Sequence, residues 1–357
     1  MTQPDFTNSE RGFSILELMV AITVMVVITG AVFALMRDSV KTSTSSMEMS
    51  DGQQSARTAH EYINRDLINT GDGLNSINNI RVPQNFVTNY LAVNPVADPA
   101  TPGFINLALI TSDNNVPANT LVLGTAPAVT VRDTPVLTDR ITILQVDQTF
   151  VPITLNAGDI NPATGLVAVS PADIDRFRAG EIYFFTSSVG SIFATITDRQ
   201  GVGTANPALV FDVDAFGLNS PGAGGQLDVV SAGATLPTSL SRMKMIHYYI
   251  NSNGLLMRRV FGVRNSPFNE SMIAEHVVSL QFRYFLNMRD VNGNVLQPQT
   301  QLTTSQQQVE TRQVETTVTV ETAHTMQNGQ RQQMSMTTST SVRNMQFRRS
   351  LLPTAGN

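Results

Sequence analysis

Cysteine is absent from the 357 residues, which removes disulfides, cysteine-ligated zinc or iron–sulfur sites, and any thiol nucleophile. The absence does not fix the compartment, because oxidising surroundings permit disulfides without demanding them. Charge is scarce as well: Asp, Glu, Lys and Arg make up 14% of the chain, against roughly 25% in an average soluble protein. The 23 basic and 28 acidic residues leave a net charge of −5 with no basic block, so a partner read through its nucleic-acid phosphates is not expected. Four histidines (His60, His247, His276, His324) are thin stock for a metal enzyme. Ser, Thr, Asn and Gln take the place of charge, a composition that correlates with β-rich proteins outside the cytoplasm. The apolar fraction of 41% is enough for a core, and the length suits two domains or one large one with a long extra element.

What is present is concentrated in the first 40 residues. From Phe13 to Met36 runs a 24-residue apolar stretch whose only charge is Glu17. As a helix it spans about 36 Å, enough to cross a ~30 Å hydrocarbon core with some tilt. It is too long for the apolar core of an ordinary secretory signal, and no small-residue cleavage site follows Met36. A carboxylate inside such a segment is costly, by about 2.5–3.5 kcal/mol at a helix centre and less near an end. Position alone leaves two readings: Glu17 reaches back to the headgroups, or it has a cationic partner within the membrane.

Gly12-Phe13-Ser14-Ile15-Leu16-Glu17-Leu18 resembles the class III leader junction of type IV pilins and type II secretion pseudopilins, which joins a Gly, a Phe, a Glu five positions into the mature chain, and an unbroken apolar helix. The resemblance implies that a prepilin peptidase cuts between Gly12 and Phe13 and N-methylates the new Phe13 amine. It further implies that Glu17 neutralises that amine on a neighbouring subunit during assembly. One feature departs from the family pattern: leaders are usually net basic, whereas Arg11 here stands against Asp5 and Glu10, a weak positive-inside bias.

No Pro or Gly interrupts residues 31–51, and beyond Gly52 the residues Ala59, Tyr62, Ile63 and Leu67 recur at helical spacing. One helix is therefore expected from about Ile15 to Thr70, with Gly30 and Gly52 as points where it bends and Gly71 and Gly73 as its stop. Arg57, Arg65 and Asp66 are read as a solvated face with local ion pairs. The segment Arg65-Asp66-Leu67-Ile68-Asn69-Thr70-Gly71 resembles the helix end of PilW-like minor pilins.

After Leu74 the period changes to short strands punctuated by Pro, Gly and Asn. Strands are expected at Ile105–Ile110, Leu121–Leu123, Arg140–Val146, Glu181–Thr186, Ser191–Thr197 and Ala208–Val213. Loops or turns are expected at Asn94–Gly103, Asn161–Gly165 and Gly217–Gly225. His247–Asn251 and Leu255–Val260 flank Ser252-Asn253-Gly254 as a hairpin. Val277–Asn287 alternates. Val314, Thr316, Val318, Val320 and Thr322 line one face of a further strand, which returns after Asn328-Gly329 through Met334–Arg348. YYINSNGLLMRR, VVSLQFRYF and SVRNMQFRR resemble sheet strands of PilW-like minor pilins and of the J-type minor pseudopilin.

Other constellations read as structure. Asp290-x-Asn292-x-Asn294 has Val295 where a calcium loop needs Gly and is read as a hairpin turn. Gly201-Val202-Gly203 lacks the third Gly and βαβ context of a dinucleotide loop. His247 and His276 are read as satisfied sheet residues, Arg258/Arg259 and Arg348/Arg349 as solvated strand ends, and Met334, Met336 and Met345 as sheet packing.

The expected architecture is α+β: leader 1–12, transmembrane and assembly helix 13–36, its periplasmic continuation 37–73, and a β-rich, mostly antiparallel pilin-like head 74–357 with an inserted region at about 74–240. No catalysis, cofactor or metal is expected. The resemblance implies a minor pilin of the PilW-like kind, a priming or tip subunit of a type IV pilus. It would be single-pass in the bacterial inner membrane, with the leader cytoplasmic and the head periplasmic, and would enter the fibre or its tip on assembly. Its partners would be prepilin peptidase, other minor and major pilins through the helix, the inner-membrane assembly platform, and membrane lipid. The alternatives are a minor pseudopilin of type II secretion and a pilus-tip adhesin.

Overall fold

The computed structural model describes residues 14–71, 80–91, 96–97, 103–117, 137–222, 224–251, 253–264, 266–290, 292–325 and 330–342. Gly12, Phe13, the expected strand Leu121–Leu123, the Asn328-Gly329 turn, Met345 and Arg348/Arg349 lie outside the described residues. The fold is α+β, a long N-terminal helix followed by a mostly antiparallel, β-rich head.

The helix runs Ile15–Ile68 for 54 residues, about 81 Å at 1.5 Å per residue. It passes through Gly30 and Gly52 without a break. The Ser14 side chain opens it by accepting the Leu16 N–H at 3.3 Å, as an N-cap does. Two residues short of the expected end, the chain turns out through Gly71 at φ 72°, a left-handed conformation that costs Gly little. The Gly71 N–H then donates to the Leu144 carbonyl at 3.0 Å, tying the helix exit to the sheet.

The strand Thr238–Ile250 is the hub of the largest sheet. One of its edges pairs with Ile182–Thr186 and then Leu256–Val263; the other pairs with Ile153–Leu155 and then Leu137–Val146. Gly262, at φ 82°, sits where one partner gives way to the next, and a Cβ there would lie 2.8 Å from the Met243 carbonyl oxygen. Only glycine fits that approach. The Asn-Gly hairpin is present: Asn251 Oδ1 accepts the Asn253 and Leu255 N–H groups, and His247 pairs with Arg259. A second sheet of three strands, Val277–Leu286, Thr311–Glu321 and Gln333–Ser341, is antiparallel throughout. Val314, Thr316, Val318 and Val320 are buried on the expected face, and Met334 and Met336 pack partly buried against the same core.

The region at about 74–240 takes part in the largest sheet. Ile182, Phe184 and Phe193 face a core shared with the helix, whereas Tyr183, Phe185, Ile192 and Ala194 face a second core with Phe150, Phe177 and Phe211. A strand buried on both faces reads as a continuous apolar run, as Ile182–Thr186 does. The expected strand Ile105–Ile110 is two: Phe104–Leu107 pairs with Ile80–Pro83, and Ile110–Pro117 pairs with Leu137–Val146. The chain changes partner at Leu109, whose carbonyl accepts the Leu144 N–H. Val96–Ala97 forms a short strand within the expected loop Asn94–Gly103. Helical turns at Gln84–Phe86, Val87–Leu91, Gln226–Ser231 and Ser305–Glu310 had no expectation. The remaining turns stand, Gly201–Thr204 joining Asp198–Gln200 to Ala208–Val210 and Asn161–Gly165 joining Ile160–Asn161 to Leu166–Ala168.

His247 is fully buried in the hub strand, with Nδ1 2.9 Å from Thr142 Oγ1 and its ring stacked on Tyr249. Burial first, and then the charges of Arg140 and Arg259, hold its pKa well below the ordinary value. The unfolded chain takes up that proton near pH 6.5 and the folded chain does not, so stability falls as pH drops below about 6.5, by up to about 1.4 kcal/mol per pH unit. Asp139 opposes this: burial raises its carboxyl to about 6, so acidification toward pH 4 favours the fold there. His247→Gln, assayed by thermal unfolding of the full chain in detergent between pH 8 and 5.5, is expected to flatten the loss. An unchanged slope would remove His247 as its source.

Candidate functional site

The N-terminal part of the helix stands clear of the head. Every residue from Ser14 to Thr44 is exposed, including Ile15 at 80% and Leu35 at 71%. Among the described residues this is the one helix long and apolar enough to cross a membrane. Its backbone bonds are satisfied within itself, as a lipid-facing segment requires. The Thr23 hydroxyl donates back to the Met19 carbonyl at 2.8 Å, so its polar atom is also spent locally. Glu17 lies in the first turn, exposed. A carboxylate there faces the positive end of the helix dipole, which eases but does not cancel its cost in lipid.

The other end of the helix is docked. Ala56, Ala59, Ile63 and Leu67 are completely buried, each large side chain contributing about 1.5–3 kcal/mol of burial. Tyr62, expected in the stripe, is half-buried at its edge beneath the Arg65 guanidinium. His60 bridges to the strand Gln333–Ser341, with Nε2 3.0 Å from the Met336 carbonyl and Nδ1 2.7 Å from Thr338 Oγ1. Burial lowers its pKa, with the Met336 carbonyl acting the other way.

Asp66 corrects the sequence reading. It is 3% exposed, not solvated. Its Oδ2 accepts from Tyr248 Oη at 2.6 Å and Arg258 Nε at 2.7 Å, while its own carbonyl accepts from Gln145 Nε2 at 2.8 Å. Burial disfavours the Arg258 charge, yet the Asp66 bond and Tyr248 outweigh it and raise the pKa. Burial, with the same carboxylate, pushes the Tyr248 phenol up. Arg258 and Arg259 are likewise not solvated strand ends: Arg259 is buried and pairs with Glu270 at 2.9 Å. The missed signal was positional, since Asp66 falls on the stripe of Ala59, Ile63 and Leu67. Arg57 and Arg65 are exposed as expected.

The remaining candidates are structural. Asp290 Oδ1 accepts the Asn292 and Asn294 N–H groups at 2.9 Å, which closes a turn and uses the carboxylate on amides. These bonds, led by that from Asn294, lower its pKa. His276 lies beside the strand Val277–Leu286, its carbonyl accepting the Glu321 N–H. Among the described residues no group of three or more His, Asp and Glu could hold a metal.

Residues 7–33 match the family described as the prokaryotic N-terminal methylation motif. No curated protein matches the chain. The matched stretch takes in the Gly12–Phe13 junction, Glu17 and most of the exposed apolar helix. Together with that helix it supports a protein of the type IV pilin or pseudopilin kind, anchored in a membrane, processed by a prepilin peptidase, and partnered by other pilins.

The dock makes a stability claim. Asp66→Ala leaves Arg258 mostly buried without its carboxylate, and breaking such a pair costs about 3–5 kcal/mol. Chemical denaturation of the full chain in detergent is expected to show that loss, with part recovered in Asp66→Ala/Arg258→Met. A loss below about 1 kcal/mol, the range of an exposed pair, would contradict the buried lock.

Proposed function

We propose that this chain is a minor pilin that takes part in type IV pilus assembly as a priming or tip subunit, and that its work is assembly without turnover. The observation that carries the reading is an apolar helix exposed over its first half and fixed to a large head by its second. A prepilin peptidase cuts between Gly12 and Phe13 and methylates the Phe13 amine. The helix then stores the subunit in the inner membrane, with the head periplasmic. On extraction by the assembly platform, the surface that lipid covered is buried against the helices of neighbouring pilins.

Glu17 gives the step its selectivity. Cleavage creates a cationic amine at the end of an apolar helix, and Glu17 of a neighbour carries the opposite charge. Neither group is comfortable alone in an apolar bundle, and pairing offsets much of the desolvation cost. The mature chain would have 345 residues (357 − 12). Its head, residues 74–357, would crowd its neighbours if repeated along a fibre, which favours a position used once or rarely.

Glu17→Ala is expected to leave leader cleavage intact, because the carboxylate lies four residues beyond the Phe13 side of the cut. The same variant is expected to fall at least tenfold in sheared surface fibres, with its level in the membrane unchanged. Blotting both fractions reads the two effects separately. Normal entry of the variant into fibres would remove the pairing role.

A further inference from the structure

Where the helix leaves its apolar stretch, the head returns to meet it. A cleft of about 920 Å³ lies between the helix at Lys41, Ser45 and Glu48 and the hairpin residues His324 and Arg331, within the roughly 300–1,000 Å³ of small-ligand sites. Among the described lining residues the one carboxylate is engaged: Glu48 Oε1 is 2.6 Å from His324 Nδ1, and Oε2 accepts the His324 N–H at 3.2 Å. Arg331 is oriented by donating from Nη1 to the Ala323 and Thr322 carbonyls at 2.7 and 3.2 Å, and faces Glu321 at 3.9 Å. Lys41 is exposed and has no ion-pair partner among the described residues. The neighbouring hydroxyls of Thr42 and Thr44 donate back to the Asp38 and Val40 carbonyls. Lys41 thus remains at the wall with no carboxylate held against it among the described residues, beside an Arg331 whose Nη1 is 3.9 Å from Glu321.

Position says what they meet. Met36 closes the apolar stretch, and Lys41 follows five residues on, about 7.5 Å along the axis. The headgroup layer beyond a ~30 Å hydrocarbon core is about 5–8 Å deep on each side. The mouth of the cleft therefore falls at the outer edge of the phosphates of the leaflet nearest the head. We propose that this cleft binds the phosphate headgroup of an anionic phospholipid, and that lipid so held sets the height of the head above the bilayer. The inference rests on the membrane-anchored reading above. Release of that lipid then accompanies extraction, since a subunit drawn from the bilayer leaves the headgroup layer behind.

The test titrates the full chain in detergent with phosphatidylglycerol, phosphatidylcholine or inorganic phosphate, counting bound adducts by native mass spectrometry. Phosphatidylglycerol is expected to be retained over phosphatidylcholine, with Lys41→Gln weakening it about fivefold, as loss of one basic residue near a lipid surface implies. Arg331→Gln is expected to act in the same direction. Arg57→Gln removes the same charge from an exposed helix position far above the cleft and is expected to change nothing. Retention unaffected by Lys41→Gln, an equal loss in Arg57→Gln, or inorganic phosphate filling the site without displacement by phosphatidylglycerol would each overturn the proposal. Flotation with vesicles of the two lipids separates the levels. A chain that floats with neither defeats the membrane anchor itself, whereas one that floats equally with both and shows no adduct preference defeats only the cleft.

Discussion

The Asp66 carboxylate, held between the end of the helix and the head sheet by Tyr248 and Arg258, is the joint on which the molecule's layout depends. The 54-residue helix has no protein surface beneath its first half. Its orientation relative to the head is therefore set by the last five turns. Apolar burial of Ala59, Ile63 and Leu67 supplies most of the attraction there, but apolar contact is non-directional. The Asp66–Tyr248–Arg258 cluster, the His60 bridge to Met336 and Thr338, and the Gly71 bond to Leu144 supply direction. Buried polar groups of this kind fix one register because any other leaves a charge unpaired.

That constraint lets one helix serve two surroundings. The exposed half is apolar on all sides, which suits lipid or a bundle of like helices. The docked half is apolar on one stripe only, and the head covers it. The boundary between the two regimes lies near Met36, and the polar residues that follow, from Arg37 to Glu48, are where the hairpin end at His324 and Arg331 comes back to the helix. One unbroken helix joins the docked half to the projecting half.

Much of this was legible in the residues because it is local. A long apolar run with one carboxylate is visible whatever the rest of the chain does. The Asn253-Gly254 hairpin and the alternation from Val314 to Val320 carry their own period and turn chemistry. What could not be read depends on partners distant in sequence. Asp66 beside Arg65 looks like a local pair, and the pair is present at 3.6 Å, but the shorter contact, with Arg258 at 2.7 Å, comes from 192 residues away. The break of Ile105–Ile110 into two strands depends on Leu109 meeting Leu144, which no local pattern encodes. Arg258 and Arg259 look like a solvated pair until the strand places them on opposite faces, one toward Asp66 and the other toward Glu270.

Assembly of this kind requires the chain to be a processed subunit that begins at Phe13. Mass spectrometry of its N-terminus, taken from membranes and from fibres sheared off the cell surface, tests that directly. A mature terminus at N-methyl-Phe13 is expected in both fractions. An intact Met1 terminus in cells with active prepilin peptidase, and absence from the sheared fibres, would contradict it and leave the helix a plain membrane anchor.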